Sequence, residues 1–381
     1  MPDVHARFSP SASDRLIHCP PSLRLGEEYG PKDTSSEYSK EGTEAHSLGE
    51  YLLRCAVGEI MEDPRPGMQY YTEEMQTCAE SYRDYVLEIR DRLLQETDDT
   101  FIGIEQQVSF DEYVKGAFGT SDACVIGAEK MYVIDLKYGK GVPVSAAGDG
   151  TGNSQLKCYA LGLYLAFSPV WDIEEITLVV YQPRIGNFDQ YTLSVDDLIY
   201  WAEHVLKPAG ALALAGEGDL STGEWCRFCK AKAVCRKRAE ENLSLAMYDF
   251  ARPPVLEEDE INMILSCVDD LVSWANDIKT YATEKALSGY IWDDWKLVEG
   301  RSIRKYTNEK DVAAAVAKAG YNPYQERLLS IGEMEALLGK AQFKELLGNL
   351  ITKPPGKPTL VPRSDKRTEI TTIQMDFNEE D

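Results

Sequence analysis

One segment, residues 119–159, constrains the fold more than any other part of the chain. It contains two β-rich runs, 119–126 and 131–137, with four turn-forming residues between them, and a helical pattern that begins near Ser154. Short apolar runs on either side of a brief turn are typical of a β-hairpin. The segment therefore predicts two paired strands, a loop and a helix.

Three charged side chains lie at the open end of this predicted hairpin. Asp135 and Lys137 are two residues apart, so a strand aims both to one side while Leu136 packs on the other. Hairpin pairing brings Asp122 beside Asp135, and carboxylates are the hard oxygen ligands that Mg²⁺ prefers. A metal ion held there polarises a phosphate and activates water, and Lys137 steadies the charge that develops. The pattern predicts metal-dependent cleavage of phosphodiester bonds.

The helix after the hairpin contributes two further polar side chains. Gln155 and Tyr159 are four residues apart and share one helix face, from which they contact the substrate or orient Lys137. The glycine-rich loop before them, residues 147–153, has neither a dinucleotide fingerprint nor a Walker-type Gly-Lys-Ser/Thr sequence. We therefore expect no nucleotide cofactor.

These elements follow one another in an order known from a nuclease superfamily. A Gly-x-x-Asp sequence at 119–122, an Asp-x-Lys sequence at 135–137 and a Gln-x-x-x-Tyr sequence at 155–159 come after a helical segment, 41–50, that carries His46. The series resembles the RecB-like exonuclease branch of the PD-(D/E)xK superfamily. Many relatives have glutamate as the acid of the Asp-x-Lys sequence, and the shorter aspartate still supplies an oxygen ligand.

The resemblance implies an α/β fold, the restriction-endonuclease-like core, in which a mixed central sheet is flanked by helices. It implies a site for Mg²⁺ or Mn²⁺ whose ligands are His46, Asp122, Asp135 and the backbone carbonyl of Leu136. It also assigns catalytic roles to Asp122, Asp135, Lys137, Gln155 and Tyr159.

A third β-rich run, 102–110, precedes the hairpin and carries Glu105. This acid is a candidate auxiliary acid of the site, although an ordinary strand residue that faces water is the favoured interpretation. Two later runs, 176–182 and 190–193, predict a central strand and a strand that returns beside it. A helix is expected from about 196 to 215.

The nine cysteines need an explanation of their own. The N-terminus has no apolar export signal, so disulfides are not expected. Five cysteines stand singly in apolar or helical contexts and are interpreted as small buried residues. The other four are Cys19, far upstream, and a C-x2-C-x5-C series formed by Cys226, Cys229 and Cys235. Thiolates of this kind hold iron–sulfur clusters or zinc.

The cysteine arrangement resembles the iron–sulfur staple of AddB-type and CRISPR-associated RecB-like nucleases. The resemblance implies that Cys19, Cys226, Cys229 and Cys235 hold a [4Fe–4S] cluster that ties the two ends of the nuclease domain together. Zinc is the less favoured occupant.

Charge limits how such a protein contacts DNA. The formal net charge of −24 is the wrong sign for a protein whose whole surface binds phosphates. Two groups of basic residues do occur. The first lies next to the cysteine series and comprises Arg227, Lys230, Lys232, Arg236, Lys237 and Arg238. The second lies around the predicted site and comprises Lys137, Lys140 and Lys157. The first group is either a positive island that steers DNA or a solvated helix face.

The chain is predicted to divide into three parts. Residues 1–245 form the nuclease domain closed by the cysteines, residues 255–350 form an α-rich C-terminal region, and residues 351–381 form an extended Pro-rich tail. No apolar run approaches the roughly 20 residues that span a bilayer. We expect no membrane contact and a location in the cytoplasm of a bacterial host cell.

The organisation of the whole chain resembles a phage and prophage family of RecB-like proteins of unassigned role. The resemblance implies a DNA exonuclease that acts on ends or single strands in phage replication, recombination or repair, with other phage replication or recombination proteins as partners. Two alternatives remain open. One is a non-catalytic iron–sulfur DNA-binding or adaptor module, and the other is an acidic module that binds proteins.

Overall fold

The computed structural model describes residues 6–30, 37–141, 143–244 and 258–298, with residues 314, 318, 334, 339, 342–347 and 350 beyond them. The chain divides into two compact units, residues 1–282 and 283–381. The predicted boundary near residue 245 falls in an interval that is not described, so it stays a prediction. The predicted tail, 351–381, also lies outside the described residues.

A five-stranded mixed sheet organises the first unit. Its strands are β1 (Phe101–Ser109), β2 (Phe118–Gly127), β3 (Lys130–Leu136), β4 (Glu175–Gln182) and β5 (Asn187–Ser194). They lie side by side in chain order, and β3 and β4 pair in parallel while the other neighbours are antiparallel. The predicted α/β fold with a mixed central sheet is confirmed, as are the strands expected at 176–182 and 190–193.

The predicted hairpin is β2 followed by β3. Ala128 and Glu129 form its turn with φ angles of 51° and 60°. Two consecutive left-handed residues match the right-handed twist of the paired strands. The register pairs Ala123 with Ile134, so that Asp122 and Asp135 come next to each other at the open end of the hairpin.

Strand β1 changes the face it presents to the sheet partway along its length. Ile104 packs on one side of the sheet, whereas Val108 packs on the other. Residues four apart share a face in a regular strand. Glu105 lies between them with φ of 47° and therefore reverses the alternation.

Two long helices cover one face of the sheet. They are α3 (Glu37–Ala56) and α4 (Glu73–Leu93), and side chains such as Leu53, Val86 and Ile89 pack there against the strands. Helix α4 begins where the Thr72 side chain accepts a hydrogen bond from the amide of Met75. This cap satisfies one of the free N–H groups at the helix start.

The other face is covered by the helix after the hairpin and by the helices that follow β5. Helix α5 (Ser154–Phe167) begins at Asn153, whose side chain accepts hydrogen bonds from the amides of Gln155 and Leu156. Helices α6 (Val195–Trp201) and α7 (Lys207–Ala215) are joined by a π-helical turn at Ala202–Leu206, where one continuous helix was predicted. Pro208 explains the change, because it has no N–H for the regular helical bond.

The N-terminal segment docks on α5. It comprises α1 (Ser13–His18) and α2 (Ser22–Tyr29), and the hydroxyl groups of Ser13 and Ser154 lie 2.8 Å apart. The sequence did not predict α2. This contact positions the start of α1 against the start of α5.

Helices α8 (Arg236–Leu243), α9 (Glu258–Leu265) and α10 (Val268–Leu287) follow in the chain. Arg238 on α8 pairs with Asp277 and Asp270 on α10 at 2.6 and 2.9 Å. Within the described parts of the chain, no helix has the length and apolar character needed to cross a membrane.

Candidate active site

The predicted site residues converge from both helical layers onto the open end of the hairpin. Asp122 lies on β2 and Asp135 on β3, with Lys137 directly after that strand. His46 comes from α3 on one side, and Gln155 and Tyr159 come from α5 on the other. The structure thus brings together all the side chains that the motifs singled out, in two contacting groups.

The first group is His46, Asp122 and Glu105. The Nδ1 atom of His46 lies 3.3 Å from Asp122 Oδ1. One ligand atom from each of the three side chains lies within 4.8 Å of the other two. Sequence analysis favoured a water-facing role for Glu105, but the structure places its partly buried carboxylate in this group. Its neighbours on β1, Ile104 and Gln106, pair with Ala123 and Ser121, the residues on either side of Asp122.

The electrostatics of this group favour a positive charge at its centre. Burial lowers the pKa of His46, but Asp122 and the neighbouring acids outweigh burial and raise that pKa to about 9. Burial and the charge of Asp122 raise the pKa of Glu105 to about 8. Burial opposes ionisation of Asp122 as well, yet His46 lowers its pKa overall. Carboxylates packed this closely are stabilised by a proton or by a cation.

The second group joins Asp135 to Lys137 and the helix face of α5. Lys137 Nζ lies 2.9 Å from Asp135 Oδ2 and donates a hydrogen bond to Gln155 Oε1 at 3.3 Å. The Gln155 Nε2 atom lies 3.4 Å from Asp135 Oδ1 and 3.1 Å from the Tyr159 hydroxyl. The side-chain amide of Gln155 therefore bridges Asp135 and Lys137. Its contact with Tyr159 confirms that Gln155 and Tyr159 share one face of the helix.

Burial and charge act in opposition on this pair. Burial raises the pKa of Asp135 despite the ammonium beside it. For Lys137, burial lowers the pKa, but Asp135 outweighs it and the pKa is raised. The lysine is thus an ammonium at neutral pH and acts as a fixed positive charge and hydrogen-bond donor.

Leu136 links the two groups through its backbone. Its amide donates a 2.7 Å hydrogen bond to Asp122 Oδ2, while its side chain packs in the cluster between the sheet and α4. This bond fixes the carboxylate of Asp122 relative to β3. The metal-binding role implied for the Leu136 carbonyl stays a prediction.

All four cysteines of the proposed staple line one cavity. Cys19 and Cys226 are buried, Cys229 and Cys235 are partly buried, and none is in a disulfide. Arg15, Lys232 and Arg238 line the same cavity. Burial raises the pKa of Cys226 and of Cys229, while Arg238 and Arg15, respectively, act in the opposite direction.

The basic groups are less available than the sequence indicated. Arg238 is buried and paired with two aspartates, and Lys232 Nζ lies 2.8 Å from Asp277. Lys157 is buried beneath the loop that precedes α5, where its ammonium donates to the Thr151 carbonyl at 3.1 Å. Lys140 is exposed and pairs with Glu74 at 3.1 Å. Arg227, Lys230 and Arg236 remain exposed near the cysteines.

Two comparisons with known proteins bear on this chain. The sequence model of a family described as "Protein of unknown function (DUF2800)" matches residues 5–368. A solved structure described as "Crystal structure of SSO0001" is 16% identical and covers 52% of this chain and 98% of its own chain, with a TM-score of 0.21. A likeness at that TM-score carries no argument about fold or activity.

Proposed function

The chain belongs to the DUF2800 family, and because the description of that family names no activity, we propose from the site itself that the protein is a metal-dependent nuclease that hydrolyses phosphodiester bonds in DNA. The proposal includes a PD-(D/E)xK core of the RecB-like kind. It rests on the arrangement of Asp122, Asp135 and Lys137 at the open end of one hairpin.

That arrangement is the observation that carries the proposal. Two acids on paired strands lie beside a lysine whose ammonium is 2.9 Å from one of them. Carboxylates hold divalent cations, and a fixed ammonium stabilises negative charge that develops on a phosphate. The same three residues follow the spacing that led to the nuclease prediction.

Each residue of the site then has a role that its contacts support. His46, Asp122 and Asp135 would hold Mg²⁺ or Mn²⁺, which when bound polarises a phosphate oxygen and lowers the pKa of water. Lys137 stays protonated and steadies the charge on the phosphate. Gln155 holds Lys137 and Asp135 in register, and Tyr159 holds Gln155.

The proposal of an exonuclease that acts on DNA depends on the resemblance to RecB-like nucleases and on the net charge of the protein. A net charge of −24 disfavours binding along a long duplex. Action at ends or on single strands needs fewer phosphate contacts, and a few exposed cations such as Arg227 and Lys230 suffice for it. Phage replication or recombination proteins remain the proposed partners.

We propose a [4Fe–4S] cluster for the cysteine cavity, as the resemblance to iron–sulfur nucleases implies, with zinc as the less favoured occupant. The observation that supports a bound metal centre is that Cys19, Cys226, Cys229 and Cys235 all line this one cavity.

The test is digestion of end-labelled single- and double-stranded DNA with Mn²⁺ by the wild-type protein and by Asp135→Asn and Lys137→Ala. We expect each substitution to lower the rate by about 100-fold or more, because Asp135→Asn removes the charge of a proposed metal ligand and Lys137→Ala removes the ammonium that steadies the phosphate. Lys140→Ala is the matched control, since it removes an exposed lysine outside the two groups. Equal rates for all four proteins would exclude these residues from catalysis.

A non-catalytic adaptor is the second candidate. It is favoured by the net charge of −24 and by the ion pairs that occupy Lys232 and Arg238. It predicts a salt-sensitive shift of labelled DNA in gels without any metal-dependent products. Lack of both binding and cleavage would favour the acidic protein-binding module instead.

A further inference from the structure

Glu105 is a charged side chain of the site to which the nuclease motifs assign no role. Its carboxylate approaches His46 and Asp122 closely enough for the three to share one ion. Outside this cluster, no described residue forms a hydrogen bond with the carboxylate of Glu105 or an ion pair within 4.0 Å of it. Two carboxylates and one imidazole therefore face a common centre.

The backbone of Glu105 supports a functional placement. A φ of 47° inside a strand is uncommon for a residue with a branched or long side chain, and such strain concentrates at functional sites. The positive φ also reverses the alternation of faces along β1. That reversal needs only a residue that tolerates a left-handed backbone, such as glycine or asparagine. It does not explain why an acid is present beside a second acid.

A buried hydroxyl near the same centre provides an independent observation. Tyr82 is 2% exposed, and within the described chain its hydroxyl has no hydrogen-bond partner. Burial raises the pKa of Tyr82, and the charges of Asp122, Glu105 and Asp135 act in the same direction. A buried hydroxyl without a protein partner is a place where a water molecule or an ion can complete the hydrogen bonding.

We propose that Glu105 is a metal ligand, and that it holds a divalent cation together with His46 and Asp122. The inference rests on the proposed nuclease function and adds to its ligand set a residue from β1. The charges balance, because two carboxylates offset a divalent cation while Asp135 and Lys137 neutralise each other in the adjoining pair. Removing Glu105 would leave one positive charge of the cation uncompensated.

The experiment measures binding of Mn²⁺ to the full-length protein from the electron paramagnetic resonance signal of the free ion. Glu105→Gln keeps the shape of the side chain and removes its charge. We expect its dissociation constant for Mn²⁺ to rise at least tenfold. Glu50→Gln is the matched control, because Glu50 lies one turn beyond His46 on α3 and pairs with Arg54 at 2.8 Å. Its dissociation constant should stay within twofold of the wild-type value.

A second variant guards against a folding defect. Glu105→Asn suits the left-handed backbone, and it should melt in EDTA at or above the wild-type temperature and still bind Mn²⁺ at least tenfold more weakly. Wild-type affinity in either Glu105 variant would overturn the inference, as would absence of Mn²⁺ binding to the wild type.

DNA digestion by the same samples separates this inference from the proposed function. Mn²⁺ binding that depends on Glu105 without DNA cleavage would uphold the ligand and refute the nuclease. Cleavage with undiminished Mn²⁺ binding by Glu105→Gln would refute the ligand alone.

Discussion

The buried ammonium of Lys157 leads to a prediction about stability whose size follows from the structure. The side chain is 2% exposed, its ammonium donates to the Thr151 carbonyl at 3.1 Å, and it lies 4.5 Å from the centre of the Trp201 ring. Burial lowers the pKa of Lys157 from 10.5 to about 8, although the nearby Asp149 acts in the opposite direction. Keeping this side chain charged therefore costs stability.

The sign and magnitude follow from proton linkage. Between the folded pKa of about 8 and the unfolded pKa of 10.5, the unfolded chain holds the proton and the folded protein does not. Stability from this group therefore rises with pH through that window, by roughly 2 to 3 kcal/mol between pH 7 and pH 10. Below the folded pKa the ammonium is charged in both the folded and the unfolded protein, so the full loss of stability from burying the charge is present.

Lys157→Met removes the titrating group and keeps most of the buried volume. Urea unfolding of both proteins at pH 7 and pH 10, with reductant present, gives the free energy of unfolding of each. We expect the free energy of unfolding of the wild type, minus that of the variant, to increase by roughly 2 to 3 kcal/mol from pH 7 to pH 10. Comparing the two proteins cancels the titration of buried cysteines and tyrosines common to both.

Lys140→Met, at an exposed lysine that pairs with Glu74, is measured beside Lys157→Met to show the effect of replacing a surface lysine. A wild-type minus Lys157→Met difference that is equal at pH 7 and pH 10 would refute the reasoning, because it would mean that Lys157 keeps its ordinary pKa in the folded protein.

Three further substitutions test other contacts. Gln155→Leu removes the amide that bridges the acid and lysine of the site, so DNA turnover, Mn²⁺ affinity or both should fall about 10- to 100-fold; wild-type turnover together with wild-type Mn²⁺ affinity in calorimetry would contradict this. Cys226→Ser should abolish the brown colour and iron content of protein purified without oxygen. Cys55→Ser should keep both, because Cys55 is exposed, whereas the sequence predicted a buried residue there. A colourless wild type with stoichiometric zinc would overturn the cluster. Gly162→Ala places a Cβ atom 2.7 Å from a valine Cβ on β1 and should cost about 1 to 3 kcal/mol in urea unfolding, whereas Gly42→Ala meets open space on α3 and should not destabilise.

The sequence predicted the parts of the fold that depend on local patterns. The hairpin that carries Asp122 and Asp135 follows from two short apolar runs around a turn, and pairing across that turn makes the two acids neighbours without further information. The shared helix face of Gln155 and Tyr159 follows from their spacing in the same way. These predictions are confirmed because each needs contacts only between residues close in sequence.

Features decided by distant packing were not predictable in this way. The placement of Glu105 beside His46 and Asp122 depends on the pairing of β1 with β2 and on a backbone reversal that the residue type does not predict, since the reversal occurs at an acid rather than a glycine. The burial of Lys157 and Arg238 is likewise set by tertiary contacts, so a count of basic residues overstated the surface open to DNA. Helix α2 was missed because its sequence is polar and short.

The cysteine cavity also imposes an order on the synthesis of the protein. Its first sulfur, at Cys19, leaves the ribosome about 200 residues before its last, at Cys235, which at about 5 to 20 residues per second is a delay of roughly 10 to 40 s. During that interval the other three cysteines of the cavity have not yet been made. Ser154, which contacts the start of α1, emerges well before them. The docking point of the N-terminal segment on α5 is therefore available before the cavity is, since the cavity cannot be completed until the chain has been made as far as Cys235.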